Sequence, residues 1–553
     1  LAKIETSCVG PPGTGKTTWN ARQIELAAEK YEPAAVYALS FTRAAAAELV
    51  GRKLPVPRGN ASTIHAAALR LIGRPKIAET MISVFNEKRA PQDCLSGRAV
   101  DDDLETGLPG DRATEADGLF DRAQVLRAKL VERAAWPVVV RSWFESEWEP
   151  FKEDTGSVDF TDMLEIAADH FTGGDFETPP KVIINDEAQD NSPLELKVVR
   201  RWAEDAEHLI LAGDPDQSIY EFKGAAPNAM LTAPHGVEGV RRSLRQSYRI
   251  PAKVHGFARQ WIRQIKDRVD CPYDPRDYEG ELNWQPWAWK DPQFVVESAM
   301  EAADRGETTM ILTSCSYQLE PAKKILRSKA APFANPYRVK RVDWNPLAER
   351  RGVSTADRVY MLSQNDFFTH RAKTRFWNWE EIKAIIEPLG KSMFHKGMKK
   401  QLMALCKSKI EQEAPRPHPN EVEYFFHETA LDELVNGDVN AYFLALQPSL
   451  RTRYQYAIEV VKKHGFEGLQ DPPRVMIGTT HSVKGGQADH VWIFPDLSAA
   501  AHDSMQVGGR DSITRAFYVA ATRAKRSLNV GHACESYVAE GFEDLAKMKA
   551  RER

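Results

Sequence analysis

Cysteine is scarce and scattered: the six in 553 residues (Cys8, Cys94, Cys271, Cys315, Cys406 and Cys534) never fall in a C-x-x-C pair. That spacing argues against a zinc or iron–sulfur site and suits reduced thiols packed as small hydrophobes. No run of eighteen apolar residues occurs, so no membrane-spanning helix is expected. Internal repeats and low-complexity tracts are missing as well, which excludes solenoids and arrays. Nor is there an overall excess of positive charge, since the formal net charge is −4. Taken alone, that value argues weakly against a nucleic-acid partner, but the sum hides an asymmetry. Residues 321–413 carry 20 Lys+Arg against 9 Asp+Glu, a local net of +11 that leaves −15 for the remainder. This block is basic enough to lie along phosphates, although such a run also serves as a plain solvated face.

What is present is ordinary for a soluble globular protein, with 42% hydrophobic and 27% charged residues. The length exceeds what one core can organise and predicts about three to five domains. The most informative stretch comes almost at once. Gly10-Pro11-Pro12-Gly13-Thr14-Gly15-Lys16-Thr17-Thr18 matches G-x-x-x-x-G-K-[ST], a loop whose backbone N–H groups and following helix N-terminus cradle phosphates. Ile4 to Val9 reads as a buried strand and Trp19 to Lys30 as a helix, so the loop has the flanks it needs. Lys16 is expected to reach the β and γ phosphates of a nucleoside triphosphate, and the Thr17 hydroxyl to hold Mg²⁺. So early a loop leaves no room for a signal peptide ahead of it, and a cytoplasmic protein is expected.

A second strand is expected over Ala34 to Ser40, followed by Phe41-Thr42-Arg43 and an Ala-rich helix from Ala44 to Arg52. Ser62-Thr63-Ile64-His65 heads another helix. Between about 73 and 177 the pattern turns helical, with an acidic loop (Asp101 to Asp121) and a Trp-rich helix (Trp136 to Trp148), and reads as an insertion. Strand character returns at Lys181 to Asn185, directly before Asp186-Glu187-Ala188-Gln189-Asp190. A buried strand ending in two carboxylates supplies one acid for Mg²⁺, Asp186, and one for the attacking water, Glu187. The strand from His208 to Ala212 leads into Gly213-Asp214-Pro215-Asp216-Gln217, where Gln217 can sense a γ phosphate. Tyr220 and Phe222 offer ring faces for base stacking a few residues on. Ser247-Tyr248-Arg249 opens a second domain. Its strands are expected at Met310 to Thr313, Arg474 to Gly478 and His490 to Phe494, and a helix over Arg515 to Lys525 carries Arg523. The basic region between the first two of these strands reads as a second insertion.

With these residues assembled, the chain resembles superfamily 1A DNA helicases of the UvrD/Rep type. The resemblance rests on GPPGTGKTT (10–18), SFTRAAA (40–46), STIHA (62–66), DEAQD (186–190), GDPDQSIY (213–220), QSYR (246–249), THSVKGGQADHV (480–491) and YVAATRAK (518–525), in that order. It implies an α/β fold of two RecA-like P-loop domains, parallel sheets flanked by helices, each with a largely helical insertion. The corresponding segments are 1–72 with 178–245, the insertion 73–177, then 246–335 with 473–553, and the insertion 336–472. It further implies ATP and Mg²⁺ as cofactors, with Lys16, Glu187, Gln217, Arg249 and Arg523 catalytic, and Thr17 and Asp186 at the metal. The nucleotide pocket would be formed by Gly10, Pro11, Gly13, Thr14, Gly15, Lys16, Thr17 and Thr18 with Arg52, Tyr248, Arg249, Gln487 and Arg523; Tyr248 stacks on adenine and the two arginines reach the γ phosphate. Arginine suits that task because its planar fork neutralises charge spread over phosphoryl oxygens. Phe41, Thr42, Thr63, His65, Tyr220, Phe222 and His481 match positions along the path of single-stranded DNA.

The resemblance has departures. Family members carry a glutamine-containing, adenine-reading segment upstream of the loop; only nine residues precede Gly10 here, and that segment is not expected. Lys484-Gly485-Gly486-Gln487 stands where the family has Lys-Gly-Leu-Glu, which keeps a hydrogen-bonding group for a ribose hydroxyl and loses a charge. Phe222 replaces the usual Trp. About thirty residues follow the last motif, so neither a nuclease domain nor a long partner-binding tail is expected. The function so implied is an ATP-dependent 3′-to-5′ translocase on single-stranded DNA, and a DNA helicase acting at single-strand/duplex junctions in replication, repair or recombination. A monomer or weak oligomer with no membrane partner is expected. A 5′-to-3′ or RNA-directed superfamily 1 helicase remains an alternative, as does an ATP-gated DNA clamp that does not step.

Overall fold

The computed structural model describes residues 2–40, 54–87, 89–96, 114–338, 341, 343–348, 352–364 and 376–552. Its framework is two six-stranded parallel sheets with flanking helices. Fourteen strands are present among these residues: β1 (Ile4–Val9), β2 (Val36–Ser40), β3 (Ala61–Thr63), β4 (Lys76–Ile77), β5 (Ser157–Val158), β6 (Val182–Asp186), β7 (His208–Gly213), β8 (Glu238–Ser243), β9 (Glu281–Trp284), β10 (Thr309–Thr313), β11 (Phe333–Ala334), β12 (Val475–Thr479), β13 (Ala488–Ile493) and β14 (Ala524–Val530). The first sheet runs β3-β2-β6-β7-β1-β8 and the second β11-β12-β10-β13-β14-β9, while β4 and β5 pair by themselves.

The first sheet explains why the chemistry-bearing motifs meet. β2 and β6 are buried along their whole length and β7 along all but its first residue, as expected for parallel strands covered on both faces. β1 lies between β7 and β8 with Val9 opposite Gly213 and Ser243, and β6 lies beside β7 with Asp186 opposite Ala212. The phosphate loop, the two acids and the glutamine therefore leave the same edge of three neighbouring strands, β1, β6 and β7. Loops at the carboxyl ends of parallel strands form the natural crevice of such sheets.

The expected strands are all present, with boundaries shifted by a residue or two. Helix Lys16–Lys30 begins earlier than the apolar pattern suggests, because Gly15 in the left-handed conformation (φ +82°) starts it directly from the loop. Two expectations need correction. Residues 115–121 are not part of an acidic loop: Thr114 and Asp117 form a capping box that starts helix Glu115–Ala128 there. Arg523 does not ride on a helix, since helix Arg510–Ala521 ends two residues before it and β14 begins one residue after. The Ala-rich helix expected after Ser40, with Phe41, Thr42 and Arg52, lies outside the described residues.

The chain forms two compact units: 1–288 with 312–315 and 479–553, and 289–311 with 316–478. Within the first, residues 78–148 build their own aromatic cluster around Phe85, Phe120, Phe144 and Trp148. Beside it, Arg127 is buried and bridges Asp159 at 2.7 Å and Glu165 at 2.6 Å. In the second, helices between 355 and 464 pack around Trp377, Trp379, Leu402, Leu434, Tyr442 and Ile458. No helix among the described residues is long and apolar enough to cross a membrane. The six thiols are free, and no group of three or more His, Cys, Asp or Glu placed to hold a metal ion occurs among the described residues.

Candidate functional site

The loop 10–18 is shaped by glycines at points of contact. Gly10 donates its N–H to the Gly213 carbonyl at 2.9 Å, and a Cβ on Gly10 would sit 2.9 Å from that of Lys16. Gly13 has φ +74° and lies against Arg249 and Ser247, so that a Cβ there would fall 2.5 Å from the Arg249 Cβ. Thr14 folds back to the Pro11 carbonyl through its hydroxyl at 2.8 Å. The first turn of helix Lys16–Lys30, which begins with Lys16, Thr17 and Thr18, contains no acidic residue, leaving its N-terminal N–H groups suited to an anion.

Lys16 donates from Nζ to Glu187 Oε1 at 2.7 Å and lies 3.8 Å from Asp186 Oδ1. Burial works against its charge, but Glu187, Asp186 and Asp214 together hold the ammonium above its ordinary value. Burial likewise works against ionising Glu187, and the ammoniums of Lys16 and Lys484 overcome it, holding this carboxyl well below the usual carboxylate range. Glu187 also adopts a left-handed backbone (φ +56°, ψ +36°), a conformation that costs a residue with a Cβ about 1–2 kcal/mol. That strain turns the chain sharply out of β6 and carries the carboxylate back towards Lys16.

Two residues of the acidic motif to which the sequence assigned no role tie the site together. Gln189 donates to Glu187 Oε2 at 2.5 Å and accepts from the Asp214 N–H at 3.0 Å, linking the loops after β6 and β7. Gly213 makes room for it, since a Cβ there would lie 2.3 Å from Gln189 Oε1. Asp190 pairs with Lys484, whose Nζ also stands 3.7 Å from Glu187 Oε2. Burial pushes the Asp190 carboxyl up to about 6 despite that ammonium. The membership of Gln189 and Lys484 in recognisable motifs was the available signal; their partners depend on the fold.

Gln217 donates to Asp214 Oδ2 at 2.7 Å and accepts from Arg523 Nη2 at 2.9 Å. Arg523 is 1% exposed and is held by the Val519 and Gly486 carbonyls, at 2.8 Å and 3.2 Å. Asp214 is pushed up to about 7 by burial and by its neighbour Asp216. Arg249 donates from Nε to Gln487 Oε1 at 2.9 Å. Ser247 and Tyr248 bond directly to the loop: Ser247 Oγ donates to the Pro12 carbonyl and the Tyr248 N–H to the Gly13 carbonyl, both at 2.8 Å. The Tyr248 ring is 73% exposed.

Tyr220, Phe222 and His481 come together, with ring centroids 6.0 Å apart for the first pair and 6.2 Å for the second. Lys484 lies 5.2 Å over the Tyr220 ring, and Tyr220 is itself largely buried. Thr63 caps helix Ile64–Leu71 by accepting from the Ala66 N–H at 3.1 Å, and His65 meets Phe160 edge-on at 6.3 Å. The whole arrangement can bind a polyanion on the loop, hold a proton acceptor ready in Glu187, and bring guanidinium charge to the same place.

Residues 3–223 match a family described as an AAA domain. The chain is 28% identical over 287 residues to an ATP-dependent DNA helicase UvrD2 of Mycobacterium tuberculosis, covering 46% of this chain and 41% of that protein. It is 25% identical over 284 residues to an ATP-dependent DNA helicase PcrA of Leuconostoc citreum, covering 46% and 37%. With a DNA helicase II of Salmonella typhimurium it shares 24% identity over 357 residues, covering 59% and 48%. The matched region thus spans less than half the length of each of these relatives.

Proposed function

We propose that this chain, a relative of the superfamily 1A DNA helicases of the UvrD/PcrA type, hydrolyses ATP and uses the cycle to move 3′-to-5′ along single-stranded DNA and part duplexes. The observation that carries this reading is the single bonded path from Lys16 through Glu187, Gln189, Asp214 and Gln217 to Arg523. It links the phosphate-binding lysine, the proton acceptor, the γ-phosphate sensor and one of the two arginines that phosphoryl transfer to water calls on.

Lys16 exchanges Glu187 for the β and γ phosphates, which frees an already ionised carboxylate to take the proton of the attacking water. Arg523 and Arg249 then neutralise charge developing on the γ phosphoryl oxygens, and Gln217 passes the presence of the γ phosphate to Arg523. Thr17 and Asp186 offer a hydroxyl and a carboxylate oxygen, the hard donors that Mg²⁺ prefers, and they would hold it; bound there, the ion supplies charge neutralisation at the phosphates. We assign 1–72 with 178–245 and 246–335 with 473–553 to the two RecA-like domains, and 73–177 and 336–472 to their insertions. Tyr220, Phe222 and His481, whose loops also carry Gln217 and Lys484, would transmit the cycle to stacked bases. Such stacking is worth about 1–3 kcal/mol per base, enough to grip a strand and small enough to release it.

The test is unwinding of duplexes tailed with 3′ or 5′ single strands, in DNA and RNA versions, alongside strand-stimulated ATPase turnover. Unwinding of 3′-tailed DNA is expected. Unwinding from 5′ tails alone, or steady turnover without displacement of a labelled strand, overturns the polarity or the stepping respectively.

A further inference from the structure

Beside the phosphate loop lies a cavity of about 690 Å³ lined by residues 246–248, Ala252 and 275–279. One wall is anchored to the loop itself, through the bonds of Ser247 and Tyr248 to Pro12 and Gly13. The other wall is tied to the first, because Gln246 Nε2 donates to the Pro275 carbonyl at 2.8 Å and the Arg276 N–H to the Ile250 carbonyl at 2.9 Å. The far wall is chemically distinctive. Tyr278 is 44% exposed, and the Arg276 guanidinium stands 4.4 Å over its ring and fixes its plane. Glu279 is engaged by Lys253 at 3.0 Å, whereas Asp277, which is exposed, makes no hydrogen bond or ion pair among the described residues.

Resting on the ATPase reading above, in which the resemblance already puts the base against Tyr248, we propose that Tyr278 and Asp277 on the far wall of this cavity select a base bearing an exocyclic amine. A nucleotide with its phosphates on the loop has its base within reach of the cavity that Ser247 and Tyr248 wall. Two aromatic side chains in that cavity offer ring faces to a flat heterocycle, which favours a base over any compact solute. A carboxylate only accepts hydrogen bonds, so it rewards the 6-amino group of adenine and repels the 6-oxo group of hypoxanthine at the same position. Discrimination of this kind is strong because the wrong base leaves polar groups unpaired.

The experiment measures Kd for ADP and inosine diphosphate by calorimetry, and KM and kcat for the two triphosphates, in the wild type and in Asp277→Asn, Tyr278→Ala and Tyr278→Phe. Inosine nucleotides keep every phosphate contact and lack any exocyclic amine. Expected are ADP binding tighter than IDP, a ratio narrowed about tenfold in Asp277→Asn, and a KM for ATP raised about tenfold in Tyr278→Ala with kcat unmoved and Tyr278→Phe restoring it. Equal binding of ADP and IDP by the wild type, or a ratio and KM indifferent to Asp277→Asn and Tyr278→Ala, overturns the proposal. Lys16→Ala keeps the readings apart: failure of the ATPase reading appears as turnover that Lys16→Ala does not abolish, whereas base selection is scored by diphosphate binding.

Discussion

Arg523 Nη2 donates to Gln217 Oε1 at 2.9 Å, joining residues 306 positions apart in the chain. Because Gln217 in turn holds Asp214, the guanidinium is wired to the loop after β7 before any phosphate arrives. Replacing Arg523 with Ala should lower strand-stimulated ATPase turnover by about 10³-fold or more, the usual worth of such an arginine. Arg523→Lys should recover little of it, since a single ammonium nitrogen cannot take the place of a planar fork that meets Val519, Gly486 and Gln217 from three separate nitrogens. Steady-state turnover beside ADP affinity separates this from a binding defect.

Glu187→Gln keeps the shape of the side chain and removes the proton acceptor. Turnover should fall by about 10²–10⁴-fold, with ADP still bound, as single-turnover hydrolysis and calorimetry can read together. Because Lys16 and Lys484 keep this carboxyl well below the usual range in the free protein, an acid limb near neutrality in the wild-type kcat/KM profile, which reports the free enzyme, does not come from Glu187.

The two left-handed glycines of the loop should respond differently to alanine. At Gly15 a Cβ meets nothing within 4 Å, so Gly15→Ala carries only the backbone cost of about 1–2 kcal/mol. Gly13→Ala adds a collision with Arg249 and with Ser247, whose Oγ lies 2.8 Å from the new Cβ. Thermal melting should show the larger loss for Gly13→Ala, and its ADP affinity should fall further.

Asp214 titrates at about 7 in the fold against an ordinary 3.8, so the folded state holds its proton more tightly than the unfolded one. Its contribution to stability is therefore complete at acid pH below that ordinary value, and is lost as pH rises through about 7. Asp214→Asn should remove this slope: between pH 5 and 8 the variant's melting temperature should decline less than the wild type's. An unchanged slope would mean that the proton resides elsewhere.

Phe222 and His481 meet edge-on although far apart in sequence, with 6.2 Å between ring centroids. Phe222→Ala should weaken binding of a fluorescent single strand by about 1–3 kcal/mol, and Phe222→Trp should retain it. Duplex without a tail should bind unchanged.

Much of the site was legible in residue order. Three of the eight motifs marked the strand ends and loops after β1, β6 and β7, because a glycine-rich loop and a buried strand ending in carboxylates are local patterns that few other structures explain. The roles of Gln189 and Lys484 were not legible, although both lie in those motifs. Each depends on a partner from another loop, and nothing local signals that Gly213 leaves space for a glutamine side chain or that Asp190 is buried deeply enough to retain a lysine.

By itself, the sequence determined which backbone segments could carry phosphate, acid and guanidinium, since these follow from glycine conformations, apolar runs and side-chain charge. Only the tertiary structure decided that Arg523 leaves its helix to meet Gln217, that Tyr220 packs inward while Tyr248 stands open, and that 275–279 close a cavity beside the loop. Those outcomes depend on how parallel strands order themselves across a sheet, a matter of long-range packing that no short window of residues encodes.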